Sequence, residues 1–158
     1  MLSIKWFKGN EDDLSDAFAV RREVFINEQK ISPENEFTGD DVDCIHIVMY
    51  DGEQPIATGR VLLGDNDFKI GRVATIAAYR GRGIATNIVQ SLIGACNAMG
   101  GSRQYVHAQT AAKAFYEKLG FAVCGEECEI AGVKHVEMER FGGAGKCCGS
   151  GGHCGGCR

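Results

Sequence analysis

Hydrophobic positions change period several times along this chain, and each change marks an element. Leu2, Ile4 and Trp6 alternate with Ser3, Lys5 and Phe7, the two-residue period of a strand. Asn10-Glu11-Asp12-Asp13 offers a capping side chain and then acids that favour the positive end of a helix dipole. Leu14, Phe18, Arg22 and Phe25 follow at helical spacing, so a helix is expected from this acidic run to about Asn27. Pro33 and the acids from Glu34 to Asp43 break the period. Strand alternation returns over Cys44 to Tyr50 and Pro55 to Leu63, joined by Asp51-Gly52-Glu53 as a hairpin turn. Beyond the turn at Gly64 to Asp67, Phe68 to Ile76 predicts a further strand.

The second half switches period again. Ile84, Ile88, Leu92 and Cys96 form one stripe with Ala85, Val89 and Ile93 beside it, an amphipathic helix that Gly100-Gly101 should stop. Gln104 to Ala108 predicts a short strand. Thr110 is expected to cap a helix through Leu119, with Gly120 ending it. Phe121 to Glu129 and Lys134 to Glu139 predict two last strands around the Ala131-Gly132 turn. The order β-α-(α)-β-β-β-α-β-α-β-β places the chain in the α/β (α+β) class, with mostly antiparallel pairing and a parallel contact around the long helix.

Composition narrows the functional classes. The chain has 158 residues, 44% apolar and 24% charged, enough for one domain with a real core. A net charge of −4 argues against nucleic acid as a partner, which would call for a basic face. Met1 to Lys5 lacks the basic-then-apolar pattern of a signal peptide, and no apolar run approaches membrane-spanning length. The default expectation is therefore a cytoplasmic protein that does not engage a membrane. In that compartment Cys44, Cys96, Cys124 and Cys128 are expected as buried thiols rather than disulfides. Arg60 and Arg72, set within apolar strands, are expected to pair with acids of the first helix and the following loop.

The stretch with most chemistry is Tyr79-Arg80-Gly81-Arg82-Gly83-Ile84-Ala85-Thr86, between a strand and the long helix. Backbone N–H groups at such a helix start have no intrahelical partner and face the positive dipole end, which suits an anion. Gly81 and Gly83 leave the backbone bare, and Arg80 and Arg82 add positive charge. The spacing is neither the dinucleotide G-x-G-x-x-G nor a G-K-[ST] loop. It resembles the Gln/Arg-x-x-Gly-x-Gly/Ala signature of the GCN5-related N-acetyltransferases (GNAT). Ala114-Phe115-Tyr116-Glu117-Lys118-Leu119-Gly120-Phe121 is similar to the second segment many of these enzymes carry after the fifth strand. Arg22 to Phe25 with Glu28-Gln29, the acids before His46, and Gly132 to Met138 resemble the small ElaA-like branch.

The resemblance spans about residues 1 to 141 and implies the GNAT fold, a mixed, mostly antiparallel sheet of about six to seven strands flanked by about four helices. It implies transfer of the acetyl group of acetyl-coenzyme A to the primary amine of a small molecule, by direct attack in a ternary complex. Arg80, Gly81, Arg82, Gly83, Ile84, Ala85 and Thr86 would hold the pyrophosphate. The backbone of Val73, Ala74 and Thr75 would pair with the pantetheine arm. A backbone N–H near Thr75 or Ile76 would stabilise the carbonyl oxygen as it gains charge. Tyr116 would protonate the leaving thiolate. For the proton lost by the amine the candidates are Glu28, His46 and His135, with Asp43 and His107 behind them. An aminosugar phosphate as acceptor, or a non-catalytic acyl-coenzyme A sensor, are the alternative readings. Monomer and homodimer are both compatible with the sequence.

A tail over residues 142–158 lies outside the resemblance. Its glycine-rich composition cannot bury a core. Cys147, Cys148, His153, Cys154 and Cys157 nevertheless offer soft ligands enough for a tetrahedral zinc, with flexible free thiols as the alternative.

Overall fold

The computed structural model describes residues 1–100 and 102–142. Its strands are β1 (Leu2–Lys8), β2 (Cys44–Asp51), β3 (Gln54–Leu63), β4 (Asp67–Thr75), β5 (Arg103–Gln109), β6 (Ala122–Ile130) and β7 (Val133–Phe141). The α-helices are α1 (Ser15–Arg21), α2 (Pro33–Glu36), α3 (Ile84–Ala98) and α4 (Lys113–Lys118). The strands hydrogen-bond in the order β1-β2-β3-β4-β5-β7-β6 as a seven-stranded sheet. The β4–β5 ladder is parallel, while the β1–β2, β2–β3, β5–β7 and β6–β7 ladders are antiparallel. This is the mixed, mostly antiparallel α/β arrangement expected from the order of elements.

The chain gathers into two compact units. The first comprises Met1–Leu63 and Ile70–Leu92. Here β2 and β3 are buried along most of their length, with Ile47, Val48, Ile56 and Val61 fully enclosed. The α3 residues Ile84, Ile88, Val89 and Leu92 are buried as the stripe predicts. Gly59 on β3 is what lets that helix approach, since a methyl there would stand 2.8 Å from Leu92 Cδ1 and 2.9 Å from Ile88 Cγ2. The second unit comprises Gly64–Lys69 and the described residues from Ile93 onward. Its core takes Cys96, Val106, Ala108, Phe121 and Met138.

Two helix starts differ from the sequence reading. The first helix begins at Ser15 rather than at the acidic run, because those acids cap turns instead. Asp12 Oδ2 accepts the Lys8 N–H at 2.7 Å, and Asp13 Oδ1 accepts the Ser15 N–H at 2.9 Å. From Arg22 to Glu28 the helix widens to π geometry. The Thr110 hydroxyl, expected as a cap, is buried and has no partner among the described residues, and a 3-10 turn over Thr110–Ala112 precedes α4. Cys44 and Cys96 are buried thiols as expected, but Cys124 and Cys128 are exposed, because β6 is an edge strand with no buried position.

An ion cluster lies inside the first unit. Arg21, only 1% exposed, donates to Glu36 Oε2 and to Asp41 Oδ1, each at 2.7 Å. Arg60 reaches the same Asp41 oxygen at 2.7 Å, and Arg72 lies 3.1 Å from Glu36 Oε2. The expected pairing of Arg60 and Arg72 with acids ahead of β2 is therefore present. The cluster ties α1, α2 and the 3-10 turn over Asp40–Asp43 to β3 and β4. Gly9 is required beside it, as any Cβ there would collide with the Asp41 carbonyl.

Candidate active site

Strand β4 leads into the glycine turn with its geometry set on both sides. Arg72 adopts φ of +51°, a left-handed conformation costly for a residue with a side chain. Its guanidinium is held by the Glu36 carbonyl at 3.1 Å. Val73, Ala74 and Thr75 follow. The parallel ladder to β5 joins Asp67–Lys69 to Arg103–Tyr105. Ile76 N–H donates to the Ile56 carbonyl at 3.0 Å, which spends one of the two backbone donors expected to face the reacting carbonyl. Neighbouring residues of an extended strand point their N–H groups to opposite edges, so Thr75 N–H is directed away from β3. Thr75 is 8% exposed, and its Oγ1 is buried with no hydrogen-bond partner among the described residues. Such an orphan costs about 1–3 kcal/mol.

The turn itself is bare. Gly81 and Gly83 have φ of +79° and +77°, which glycine adopts freely, and a Cβ at either position would meet nothing within 4 Å. Ile84, Ala85 and Thr86 form the first turn of α3 and contribute the N–H groups of a helix start. A phosphate could approach this backbone unobstructed. The arginines are disposed differently from each other. Arg82 is exposed, stacks 5.0 Å from the Tyr79 ring centroid, and donates to the Ala78 carbonyl at 3.3 Å. Arg80 is committed within the protein: its Nε donates to the Thr75 carbonyl at 2.9 Å, and its two terminal nitrogens grip Glu28 at 2.6 and 2.7 Å.

That grip changes the reading of Glu28. The residue sits at the end of the π-helical turn, and hydrogen bonding from Arg80 holds its carboxyl below the usual carboxylate range. A carboxylate stabilised in this way is a weaker base. Glu28 and Arg80 are 52 residues apart, so no local spacing could have announced the pair. His46 is 1% exposed, with Nε2 3.1 Å from the Asp41 carbonyl, and burial lowers its pKa. It is a buried sheet histidine beside the ion cluster, 3.9 Å from Asp41 Oδ1. Asp43 is exposed on the 3-10 turn.

The second unit holds the remaining candidates. Tyr116 on α4 is buried between Phe115 and Phe121, whose ring centroids lie 5.0 and 5.6 Å away. Burial pushes its phenol up to about 12, so the group keeps its proton throughout the neutral range. On the β5–β7 ladder His107 stands opposite Glu137 and Gln109 opposite His135, placing the four on one face. His107 Nε2 is 3.8 Å from Glu137 Oε1, and its pKa is lowered, first by burial and then by Lys69. His135 Nδ1 lies 2.8 Å from the Val133 carbonyl. Cys147, Cys148, His153, Cys154 and Cys157 lie outside the described residues. Among the described residues no group of three or more His, Cys, Asp or Glu is arranged to hold a metal, and no helix is long and apolar enough to cross a membrane.

Comparison with known proteins bears on this geometry. A family model described as an acetyltransferase (GNAT) domain matches residues 13–140. A Bacillus subtilis protein described as an uncharacterized N-acetyltransferase, YjcF, is 38% identical over 130 residues, 82% of this chain and 93% of its own. The crystal structure of Escherichia coli ElaA superimposes with a TM-score of 0.79 at 27% identity, covering 89% of this chain and 99% of that one. An acyl-CoA N-acyltransferase from Pseudomonas aeruginosa gives 0.81 at 26% identity, with the same two coverages of 89% and 99%. A glycine turn at a helix start, a buried tyrosine after the fifth strand and a shared fold thus coincide with a family match over most of the described residues. The chain belongs to the GNAT acetyltransferase family, as an acetyl-coenzyme A-dependent acyltransferase.

Proposed function

We propose that the enzyme moves the acetyl group of acetyl-coenzyme A to the primary amine of a small molecule, by direct attack with both substrates bound. The observation that carries this reading is the bare turn at Gly81 and Gly83, open at both Cβ positions and continuous with the first turn of α3. In the proposed complex the N–H groups of Gly81 to Thr86 bind the pyrophosphate and Arg82 adds charge. Arg80 acts indirectly, by fixing the Thr75 carbonyl and hence the course of the backbone into the turn. Val73 to Thr75 pair with the pantetheine arm through their backbone.

In the reaction the amine nitrogen attacks the thioester carbonyl carbon, and the C–S bond then breaks. Thr75 N–H donates to the oxygen as it gains charge. Tyr116 gives its proton to the departing sulfur and is reprotonated from solvent before the next turnover. The amine's proton passes to solvent, with Asp43, His107 and His135 as the candidate side chains to accept it once His46 is enclosed and Glu28 is paired. The products are the acetamide, free coenzyme A and one proton. The acetyltransferase domain ends near residue 141 in this reading, and the five tail ligands are not needed for transfer.

Thiol release from acetyl-coenzyme A, followed across a panel of small amines, tests the proposal. Turnover should appear with at least one amine, and Tyr116→Phe should lower kcat by about 10²–10⁴-fold with little change in coenzyme A affinity. Full activity in Tyr116→Phe would remove its acid role.

A further inference from the structure

We infer that the Thr75 side chain is a second hydrogen-bond donor to the acyl carbonyl oxygen, acting beside its own backbone N–H; this rests on the acetyl-transfer reading above. Folding gives no reason for a hydroxyl at this position. Oγ1 is buried, the residue is 8% exposed, and among the described residues no group accepts from it or donates to it. Valine has the same branched shape and would fill the site without leaving a polar atom unpaired.

The peptide that follows the Thr75 side chain is, by contrast, engaged at both polar ends. Its carbonyl accepts from Arg80 Nε at 2.9 Å, and the next N–H, of Ile76, donates to Ile56 O at 3.0 Å. The peptide joining Thr75 to Ile76 is therefore pinned at both its polar ends. Arg80 is itself fixed by both Glu28 oxygens. A residue so constrained holds its unpartnered donor in a fixed place without ordering cost at the moment of reaction. The hydroxyl oxygen and the N–H nitrogen of one threonine are three bonds apart, so a single oxygen can lie within reach of both. The matching chemical group is a carbonyl that becomes an oxyanion, the group that distinguishes acetyl-coenzyme A from coenzyme A.

Steady-state kinetics of Thr75→Val and Thr75→Ser, with acetyl-coenzyme A as the varied substrate, test this. Thr75→Val should lose about 10–100-fold in kcat with its KM little changed and its melting temperature no lower than wild type. Thr75→Ser, which keeps the hydroxyl, should stay within about three-fold of wild type. Should the valine variant not fold, Thr75→Ala removes the same hydroxyl and carries the same expectation. A kcat within about two-fold of wild type in the hydroxyl-free variant, or equal losses in the valine and serine variants, would overturn the inference while leaving acetyl transfer intact. Calorimetry with acetyl-coenzyme A and coenzyme A separates the two readings: a wild-type chain that binds neither overturns acetyl transfer and this inference together.

Discussion

The first unit contains two arginine–carboxylate sites built from the same chemistry and put to different ends. Arg80 grips Glu28 through both terminal nitrogens, with each side chain more than 40% exposed. Arg21 grips Glu36 and Asp41 at similar distances, with its own side chain 1% exposed. Water screens the first pair, and holding two exposed side chains in one geometry costs conformational entropy, so its net effect on stability is small. The second pair is enclosed, and removing one partner leaves a buried charge with nothing to offset it. Burial, rather than pairing geometry, decides which site holds the fold and which is free to shape the turn.

The largest way to break that comparison is Asp41→Asn. It leaves Arg21 and Arg60 facing a neutral group, and should cost about 3–5 kcal/mol in urea unfolding. A cost below about 1 kcal/mol would show that water reaches the cluster.

Lowering pH should separate the two groups by a smaller, graded effect. His46 is held below its ordinary range by burial, so the unfolded chain takes up that proton more readily. Its contribution is complete above about pH 6.5 and is lost as the pH falls from there. Burial pushes the Asp41 carboxyl up, but Arg21 and Arg60 outweigh it and hold the group below the usual range. That contribution is complete above about pH 4 and is lost as the pH falls through the lowered value. Melting temperature measured from pH 8 to pH 3 should therefore decline in two stages. In His46→Gln the upper stage should shrink to the part that His107, also held low by burial, contributes.

The smallest effect on stability belongs to Glu28→Gln, which should leave the melting temperature within about 2 °C of wild type. Its consequence should appear in catalysis instead. With Arg80 released, the Thr75 carbonyl loses its fixed partner, and kcat/KM for acetyl-coenzyme A should fall by about ten-fold. Equal losses in stability and activity would mean that the exposed pair serves the fold after all.

Much of the fold and part of the site were legible in the residues, for identifiable reasons. The strands from Cys44 to Ile76 and the stripe of α3 could be read because side-chain alternation is a local property of the backbone. The turn at Gly81 and Gly83 could be read because an unobstructed helix start needs specific residue types at adjacent positions. Asn10 and Thr110 misled, since a capping side chain has the same chemistry whether it caps a helix, closes a turn or caps nothing. Cys124 and Cys128 misled because exposure on an edge strand depends on what covers it.

By itself the sequence determined the order of elements, the class of fold, the anion-ready turn and the tyrosine of the second motif, all carried by neighbours within a few residues. The tertiary structure decided the rest: that Glu28 is bound to Arg80 and His46 is enclosed. It also decided that Ile76 N–H is spent, while the Thr75 hydroxyl is not. These outcomes join residues that are distant along the chain. A partner's distance and the exclusion of water, which set basicity and hydrogen bonding, exist only once the chain has folded.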